Sequence, residues 1–128
     1  MTLDSYIAYC LAKPGVEVSY PFKGECAWLK VGGKMFSLVN VTEMKMDGDI
    51  IPPFHFANLK CDPTKAIGLR ESHAAIRPGW HQNKDHWNSV FMDGSLTDDL
   101  IKELIDHAYE IVAAKLSKKL KVELGIDF

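Results

Sequence analysis

A pair of glycines between two alternating segments constrains the fold of this chain most strongly. Gly32 and Gly33 separate residues 27–31 from residues 34–40. A two-residue hairpin loop needs positive φ angles, which glycine adopts without steric cost, so the sequence predicts an antiparallel hairpin here. The predicted register pairs Val31 with Lys34, Leu29 with Phe36, and Ala27 with Leu38. One face of the hairpin is then mainly apolar and is predicted to contact the core.

The opposite face of the predicted hairpin carries Trp28, Lys30, Met35 and Ser37. An aromatic ring beside a lysine can stack on a nucleic-acid base or contact a protein partner. The pattern is also typical of an amphipathic strand covered by a second layer, which is the favoured interpretation.

The remaining periodicity predicts an α+β fold, a two-layer arrangement of an antiparallel β-sheet with N-terminal, middle and C-terminal helices on one face. The first predicted helix occupies residues 2–13. The second occupies residues 63–73, with Asp62 as its N-cap and Pro63 at its first position. The last is capped by Ser95 or Thr97 and carries an apolar stripe from Leu100 to Leu116. Predicted strands occupy residues 16–20, 54–60, 75–80 and 86–91. Residues 41–53 are predicted to form a loop or a long hairpin tip that turns at residues 46–49.

Composition predicts one domain, residues 1–128, in the cytoplasm. The chain is 47% hydrophobic and 25% charged, and it has no apolar run near the ~20 residues of a membrane span. The first residues lack a signal-peptide pattern, and Cys10, Cys26 and Cys61 are too widely spaced for a CxxC motif, which predicts buried free thiols. The net charge is −2, so any nucleic-acid contact must rest on a local patch.

The sequence contains no complete catalytic or metal-binding motif. His81 and His86, with Asp85 between them, invite a metal-site interpretation, but the sequence offers no third or fourth ligand beside them. No carboxylates are spaced as an acid–base pair, no serine lies in a GxSxG motif, and there is no phosphate-binding glycine loop. The sequence therefore predicts a protein that is not an enzyme and needs no cofactor or metal.

The most informative segments follow one another over nearly the whole chain. They are residues 15–22 (GVEVSYPF), 32–36 (GGKMF), 58–63 (NLKCDP), 76–84 with 86–90 (IRPGWHQNK and HWNSV), and 93–96 with 104–109 (DGSL and LIDHAY). Together, in this order, they resemble the MmcQ/YjbR family. The resemblance implies a fold similar to bacterial frataxin (CyaY-like). It also implies a proposed "double wing" motif, in which two hairpins contact DNA.

When the wing positions of the family are matched to this sequence residue by residue, the resemblance implies two wings. The first wing is residues 30–34, with Lys30, Gly32, Gly33 and Lys34. The second wing is residues 81–86, with His81, Gln82, Asn83, Lys84 and His86, and Arg77 at its base. If residues 83–84 form a two-residue tip, His81 faces His86 and Trp80 faces Trp87. Both tryptophans are predicted to be core aromatics.

This sequence departs from the family pattern at Asp85, where a basic or neutral residue is expected, and in residues 42–53, which are longer than usual. The cations of the two wings could neutralise up to about four phosphates, which predicts weak, salt-sensitive DNA binding. Arg77 or Gln82 could read a base edge. The prediction requires both wings to lie close together and to remain uncovered by residues 42–53.

Two other functions compete with DNA binding. A protein-interaction module would use the outer face of the sheet, with Trp28 and Met35 as anchors. Iron handling of the frataxin type would need an acidic first helix, but residues 2–13 carry only Asp4, so this function is disfavoured.

Overall fold

The computed structural model describes residues 1–42, 45–46, 49–50 and 55–128. The helices within these ranges are α1 Leu3–Leu11, α2 Pro21–Gly24, α3 Pro63–Ser72, α4 Asp98–Ala114 and α5 Lys118–Leu124. The strands are β1 Val16–Ser19, β2 Cys26–Val31, β3 Lys34–Asn40, β4 Lys45–Met46, β5 Asp49–Ile50, β6 Phe56–Lys60, β7 Ile76–Pro78 and β8 Trp87–Phe91. The predicted α+β class is confirmed.

The described strands form one antiparallel sheet in the order β1-β2-β3-β6-β8-β7 and a separate ladder of β4 with β5. Met46 pairs with Asp49 in that ladder, within the segment predicted to form a loop or a long hairpin tip. The two central residues of the turn predicted at residues 46–49 lie outside the described residues, as do residues 43–44 and 51–54.

Side-chain caps start the long helices where the sequence predicts them. Thr2 accepts a hydrogen bond from the Ser5 backbone N–H at the start of α1. The Asp62 carboxylate accepts from the backbone N–H groups of Thr64 and Lys65, and Pro63 takes the first position of α3. Thr97 caps α4. Each cap satisfies N–H groups that have no partner within the helix, which sets the helix start.

The core lies between one face of the sheet and the helices. α4 packs across β2, β3 and β6, and its stripe buries Ile101, Leu104, Ile105, Ala108 and Val112. The stripe continues the 3.6-residue periodicity of the sequence, so these five apolar side chains lie on the helix face that packs on the sheet.

The register of β2 with β3 differs from the prediction beyond the first pair. Val31 does pair with Lys34, but a β-bulge follows, and Leu29 lies opposite Ser37 rather than Phe36, while Ala27 lies opposite Val39 rather than Leu38. Phe36 is the extra residue, and its ring makes an edge contact with Tyr109. A bulge inserts one residue and changes which side chains face the core.

The predicted outward position of Ser37 is wrong for the same reason. Ser37 is fully buried, and its Oγ lies 2.6 Å from the Tyr6 hydroxyl oxygen of α1. The bulge allows Phe36 and Ser37, which are adjacent in sequence, both to be buried.

The helical C-terminal region also differs from the prediction, because α4 ends at Ala114 instead of reaching Leu116. Ser117 accepts a hydrogen bond from the Leu120 backbone N–H and starts a new helix, α5. Lys118 therefore lies in the first turn of α5, where the helix dipole does not favour a cation. In α3, Ala66 is buried, whereas Ile67 is 55% exposed.

Candidate nucleic-acid interface

Both wings lie at the same edge of the sheet. Ser37 pairs with Leu59, so β6 ends, at Lys60, on the side where β2 turns into β3. Lys60 pairs with Trp87, and Pro78 pairs with Asn88, so the connection between β7 and β8 emerges on that side too. Only β6 separates β3 from β8, so the strands that carry the wings are about 10 Å apart.

The first wing is a tight turn supported by the C-terminal helical region. Gly32 and Gly33 have φ angles of 58° and 79°, as the hairpin prediction requires. A Cβ on Gly32 would lie 2.8 Å from both δ-carbons of Leu116, so the turn packs directly on the residues that follow α4. Lys34 is exposed at the end of the turn. Lys30 is half-buried, with its Nζ 5.3 Å from the centre of the Trp28 ring.

The second wing is a longer loop than predicted. β7 ends at Pro78 and β8 begins at Trp87, and the Gly79 N–H donates to the Trp87 carbonyl oxygen at 2.9 Å. Trp80 therefore does not face Trp87. Its N–H donates to Ser89 Oγ, and its ring makes an edge contact with Phe56.

The predicted pairing of His81 with His86 is likewise replaced by a turn. His81 has a φ angle of 55°, and its ring centre is 4.2 Å from that of Trp80. The His86 N–H donates to the Asn83 carbonyl oxygen, 3.2 Å away, and both histidine side chains are exposed. His81 lies beyond the end of β7, and its positive φ departs from the extended backbone that pairing with His86 would require.

Lys84 is exposed, but its side chain bonds back to the base of its own loop. Its Nζ donates to the Gly79 carbonyl oxygen at 3.0 Å, and its own carbonyl oxygen accepts from Arg70 Nη2 of α3 at 3.0 Å. Asn83 Oδ1 accepts from the Asp85 N–H. The polar groups of the second wing thus hold the loop in shape.

The other predicted contact residues of the second wing vary in exposure. Gln82 is half-buried, and its N–H donates to the Gly79 carbonyl oxygen at 3.4 Å. Arg77 is exposed on β7, with its guanidinium carbon 4.6 Å from the centre of the Phe91 ring.

A cleft of about 400 Å³ lies at the same edge, between the first wing and α4. Its lining combines three lysines with apolar residues: Lys34, Met35, Lys60, Ile111, Val112, Lys115 and Leu116. Burial lowers the pKa of Lys60, and the nearby charge of Lys115 lowers it further. The Lys60 Nζ also lies 5.2 Å from the centre of the Trp87 ring, between the two wings.

Lys60 and Lys115 are absent from the wings that the family resemblance defines. Lys60 could have been found from its place just before the Cys61-Asp62-Pro63 segment, because a residue at a strand end lies at the edge of the sheet. No local signal indicates Lys115, since its position beside Lys34 and Lys60 depends on how α4 crosses the sheet.

The burial of the three cysteines argues against nucleophilic catalysis by their thiols. Cys10, Cys26 and Cys61 are buried and are not joined in disulfides, as predicted. Burial raises the pKa of all three, that of Cys10 to about 12, which disfavours the thiolate.

Among the described residues, no three His, Cys, Asp or Glu side chains are grouped as metal ligands would be. No helix in the described ranges is long and apolar enough to cross a membrane.

Comparison with known proteins assigns the family. The YjbR family model matches residues 11–111. The chain is 35% identical to the uncharacterized protein YjbR of Escherichia coli K12, over 97% of this chain and all of that protein. It is 25% identical to the uncharacterized protein YyaQ of Bacillus subtilis, over 87% of this chain and 98% of that protein.

A crystal structure shares the fold of this chain. The Deinococcus radiodurans protein DR2400, with a DUF419 domain, superposes with a TM-score of 0.83 and 32% identity, covering 98% of this chain and 89% of that one. None of these names states an activity. The sequence motifs, the arrangement of strands and helices, and these comparisons agree, and the chain belongs to the YjbR family.

Proposed function

We propose that this protein binds the phosphate backbone of DNA weakly and without sequence preference, along the sheet edge that carries both wings. The observation that carries the proposal is the gathering of Lys34, Lys60 and Lys115 around the cleft between the first wing and α4, at the edge of the sheet that carries both wings. The exposed residues of both wings border this edge, so an extended polyanion can reach the three cations.

The two wings contribute differently to the proposed interface. Lys34 is free to approach a phosphate, whereas Lys84 is hydrogen bonded to Gly79 and is flanked by the exposed carboxylate of Asp85. The first wing and the cleft therefore supply the charge, and the second wing supplies a rigid wall. With about three phosphates neutralised, the logarithm of the binding constant should fall with the logarithm of salt concentration with a slope of about −2.7.

Fluorescence anisotropy of a labelled DNA duplex over a salt series tests this proposal. The Lys34→Gln/Lys60→Gln double variant removes two of the cations, so the slope should become shallower by about 1.8. The matched control is Lys23→Gln/Lys102→Gln, which removes the same charge. Lys23 lies in α2, just before β2, and Lys102 lies near the start of α4, both away from the wing edge. The control should keep the wild-type slope.

Two results would refute DNA binding at this edge. One is the absence of measurable binding by the wild-type protein at low salt. The other is an equal change of slope in the two double variants, which would mean that only net charge matters.

The protein-interaction alternative stays a prediction. Its anchors Trp28 and Met35 are both half-buried, and Met35 lines the cleft.

A further inference from the structure

The cleft between the first wing and α4 has two chemically distinct parts. Lys34 and Met35 come from the start of β3, and Lys60 comes from the end of β6. The last turn of α4 and the residues after it form the opposite wall, with Ile111, Val112, Lys115 and Leu116. Positively charged groups therefore surround an opening whose α4 wall is mainly apolar.

The charges of the cleft are not neutralised within the described part of the chain. All its charged lining residues are lysines. The ion pairs found among the described residues join Met1 to Asp98 and Lys13 to Asp106, so they involve none of these three lysines. Lys60 is half-buried, and the charge of Lys115 acts on it. Like charges held together at a partly desolvated site disfavour each other, and a bound anion would relieve that repulsion.

The cleft is too large for a bare inorganic anion alone. Its volume of about 400 Å³ falls in the size range of sites that bind small organic molecules. A phosphate would occupy only the part between the lysines. The remaining space lies against Ile111, Val112 and Leu116, where water has few polar partners and an apolar group gains contact area.

We propose that this cleft binds a phosphate monoester with an apolar or aromatic organic part. Lys34, Lys60 and Lys115 contact the phosphate, whose two negative charges offset more of their repulsion than a single carboxylate would. The organic part lies on Ile111, Val112 and Leu116. A free small molecule and the 5′-phosphorylated end of a nucleic-acid strand share this chemistry. The inference does not require binding to the DNA backbone, because the apolar wall belongs to neither wing.

Methyl NMR titration of the full chain tests the proposal with phenyl phosphate, inorganic phosphate and phenol as probes. Phenyl phosphate should shift the methyl signals of Met35, Ile111 and Leu116 with saturation. Inorganic phosphate should bind about tenfold more weakly, and phenol should not saturate the shifts, because each lacks one half of the recognised group.

Charge variants identify which lysines bind the phosphate group of phenyl phosphate. Lys60→Gln and Lys115→Gln should each lower the affinity for phenyl phosphate about tenfold. The matched control is Lys119→Gln, which removes the same charge from an exposed position of α5 that does not line the cleft. It should leave the affinity nearly unchanged. Equal losses in all three variants would overturn the proposal, as would the absence of saturation below about 10 mM phenyl phosphate.

An apolar variant separates this site from the proposed DNA interface. Ile111 is half-buried, so Ile111→Gln should fold, and it keeps the net charge. It should reduce the affinity for phenyl phosphate to that for inorganic phosphate while the salt slope of DNA binding stays unchanged. Equal wild-type affinities for phenyl phosphate and inorganic phosphate would overturn the proposal, whatever the DNA result.

Two further ligands distinguish the sources of the phosphate monoester. Preference for a 5′-phosphorylated oligonucleotide over the same strand with a 5′-hydroxyl group would support the site and assign it to strand ends. Saturable binding of a nucleoside 5′-monophosphate with no preference between the two strands would support the site and assign it to free small molecules.

Discussion

The two wings lie at one edge of the sheet and are built in opposite ways. The first wing reverses direction within Gly32 and Gly33, rests on Leu116, and leaves Lys34 exposed. The second wing is a loop between Pro78 and Trp87 in which Lys84 is bonded to the Gly79 carbonyl oxygen. Both lysines are exposed, and the second wing also uses its lysine to stabilise its own loop.

This difference shows that a basic residue in a hairpin tip can be partly engaged within its own loop. Lys84 is exposed and uses one ammonium N–H for the Gly79 carbonyl oxygen, so a phosphate can reach its other N–H groups only where that bond leaves them, or after the bond breaks at a cost of about 1 kcal/mol. Lys60, which belongs to neither wing, lies between them and lines the cleft. Four substitutions or conditions test this contrast.

The largest effect is expected from Gly79→Ala, which would force apart the base of the second wing. A Cβ on Gly79 would lie 2.6 Å from the Trp87 Cβ and 2.9 Å from the Trp87 carbonyl oxygen. Because backbone atoms cannot easily move aside, the free energy of unfolding in urea should fall by about 3 kcal/mol. In the control Gly68→Ala, nothing lies within 4 Å and the position is helical, so stability should rise by up to about 1 kcal/mol. Wild-type stability in Gly79→Ala would contradict the close approach to Trp87.

The first wing is tested by comparing alanine at its two glycines. Both positions have a positive φ, so each substitution should cost about 1 kcal/mol in backbone strain. A Cβ on Gly32 also meets Leu116 at 2.8 Å and Leu120 at 3.1 Å, whereas one on Gly33 meets nothing within 4 Å. Gly32→Ala should therefore be the less stable variant by about 1 kcal/mol more. Equal unfolding midpoints would show that the turn does not depend on Leu116.

Methionine substitutions compare the lysines of the two wings directly. Lys84→Met should lower the free energy of unfolding by about 1 kcal/mol, because the hydrogen bond to Gly79 is lost, and should leave DNA binding nearly unchanged. Lys34→Met removes an exposed cation, so it should leave stability unchanged and weaken DNA binding. Urea denaturation and anisotropy measure the two properties separately, and the reverse pattern would contradict the assigned roles.

The smallest effect is expected from acidification through His107, which supports the second wing indirectly. His107 Nε2 accepts a hydrogen bond from the Asp62 N–H at the start of α3, and Arg70 of α3 holds the Lys84 carbonyl oxygen. Burial lowers the pKa of His107, Lys65 lowers it further, and Asp62 and Glu110 oppose the change.

The sign of the pH effect follows from this lowered pKa. As pH falls below about 6.5, the unfolded chain takes up a proton at His107 more readily than the folded chain, so stability decreases. Hydrogen exchange should accelerate in the second wing more than in the first. His107→Gln should reduce the pH dependence of unfolding, and an unchanged dependence in that variant would rule out this group.

Local signals in the sequence determined most of the fold. Gly32-Gly33 specifies the hairpin turn because few other residues tolerate two consecutive positive φ angles. Asp62-Pro63 starts α3, and the stripe from Leu100 onward places α4 on the sheet. Each of these signals acts over a few neighbouring residues, so its physical cause can be read from the chain itself.

The tertiary structure alone decided which side chains serve the candidate site. The bulge at Phe36 accompanies the contact of its ring with Tyr109 of α4, the hydrogen bond of Lys84 depends on the Gly79 carbonyl oxygen, and the approach of Lys115 to Lys34 depends on the path of α4. These outcomes are set by packing and hydrogen bonding between segments distant in sequence or by the closing of a whole loop. The sequence by itself therefore determined the elements and their order, and the folded arrangement determined which of the basic residues face a common cleft.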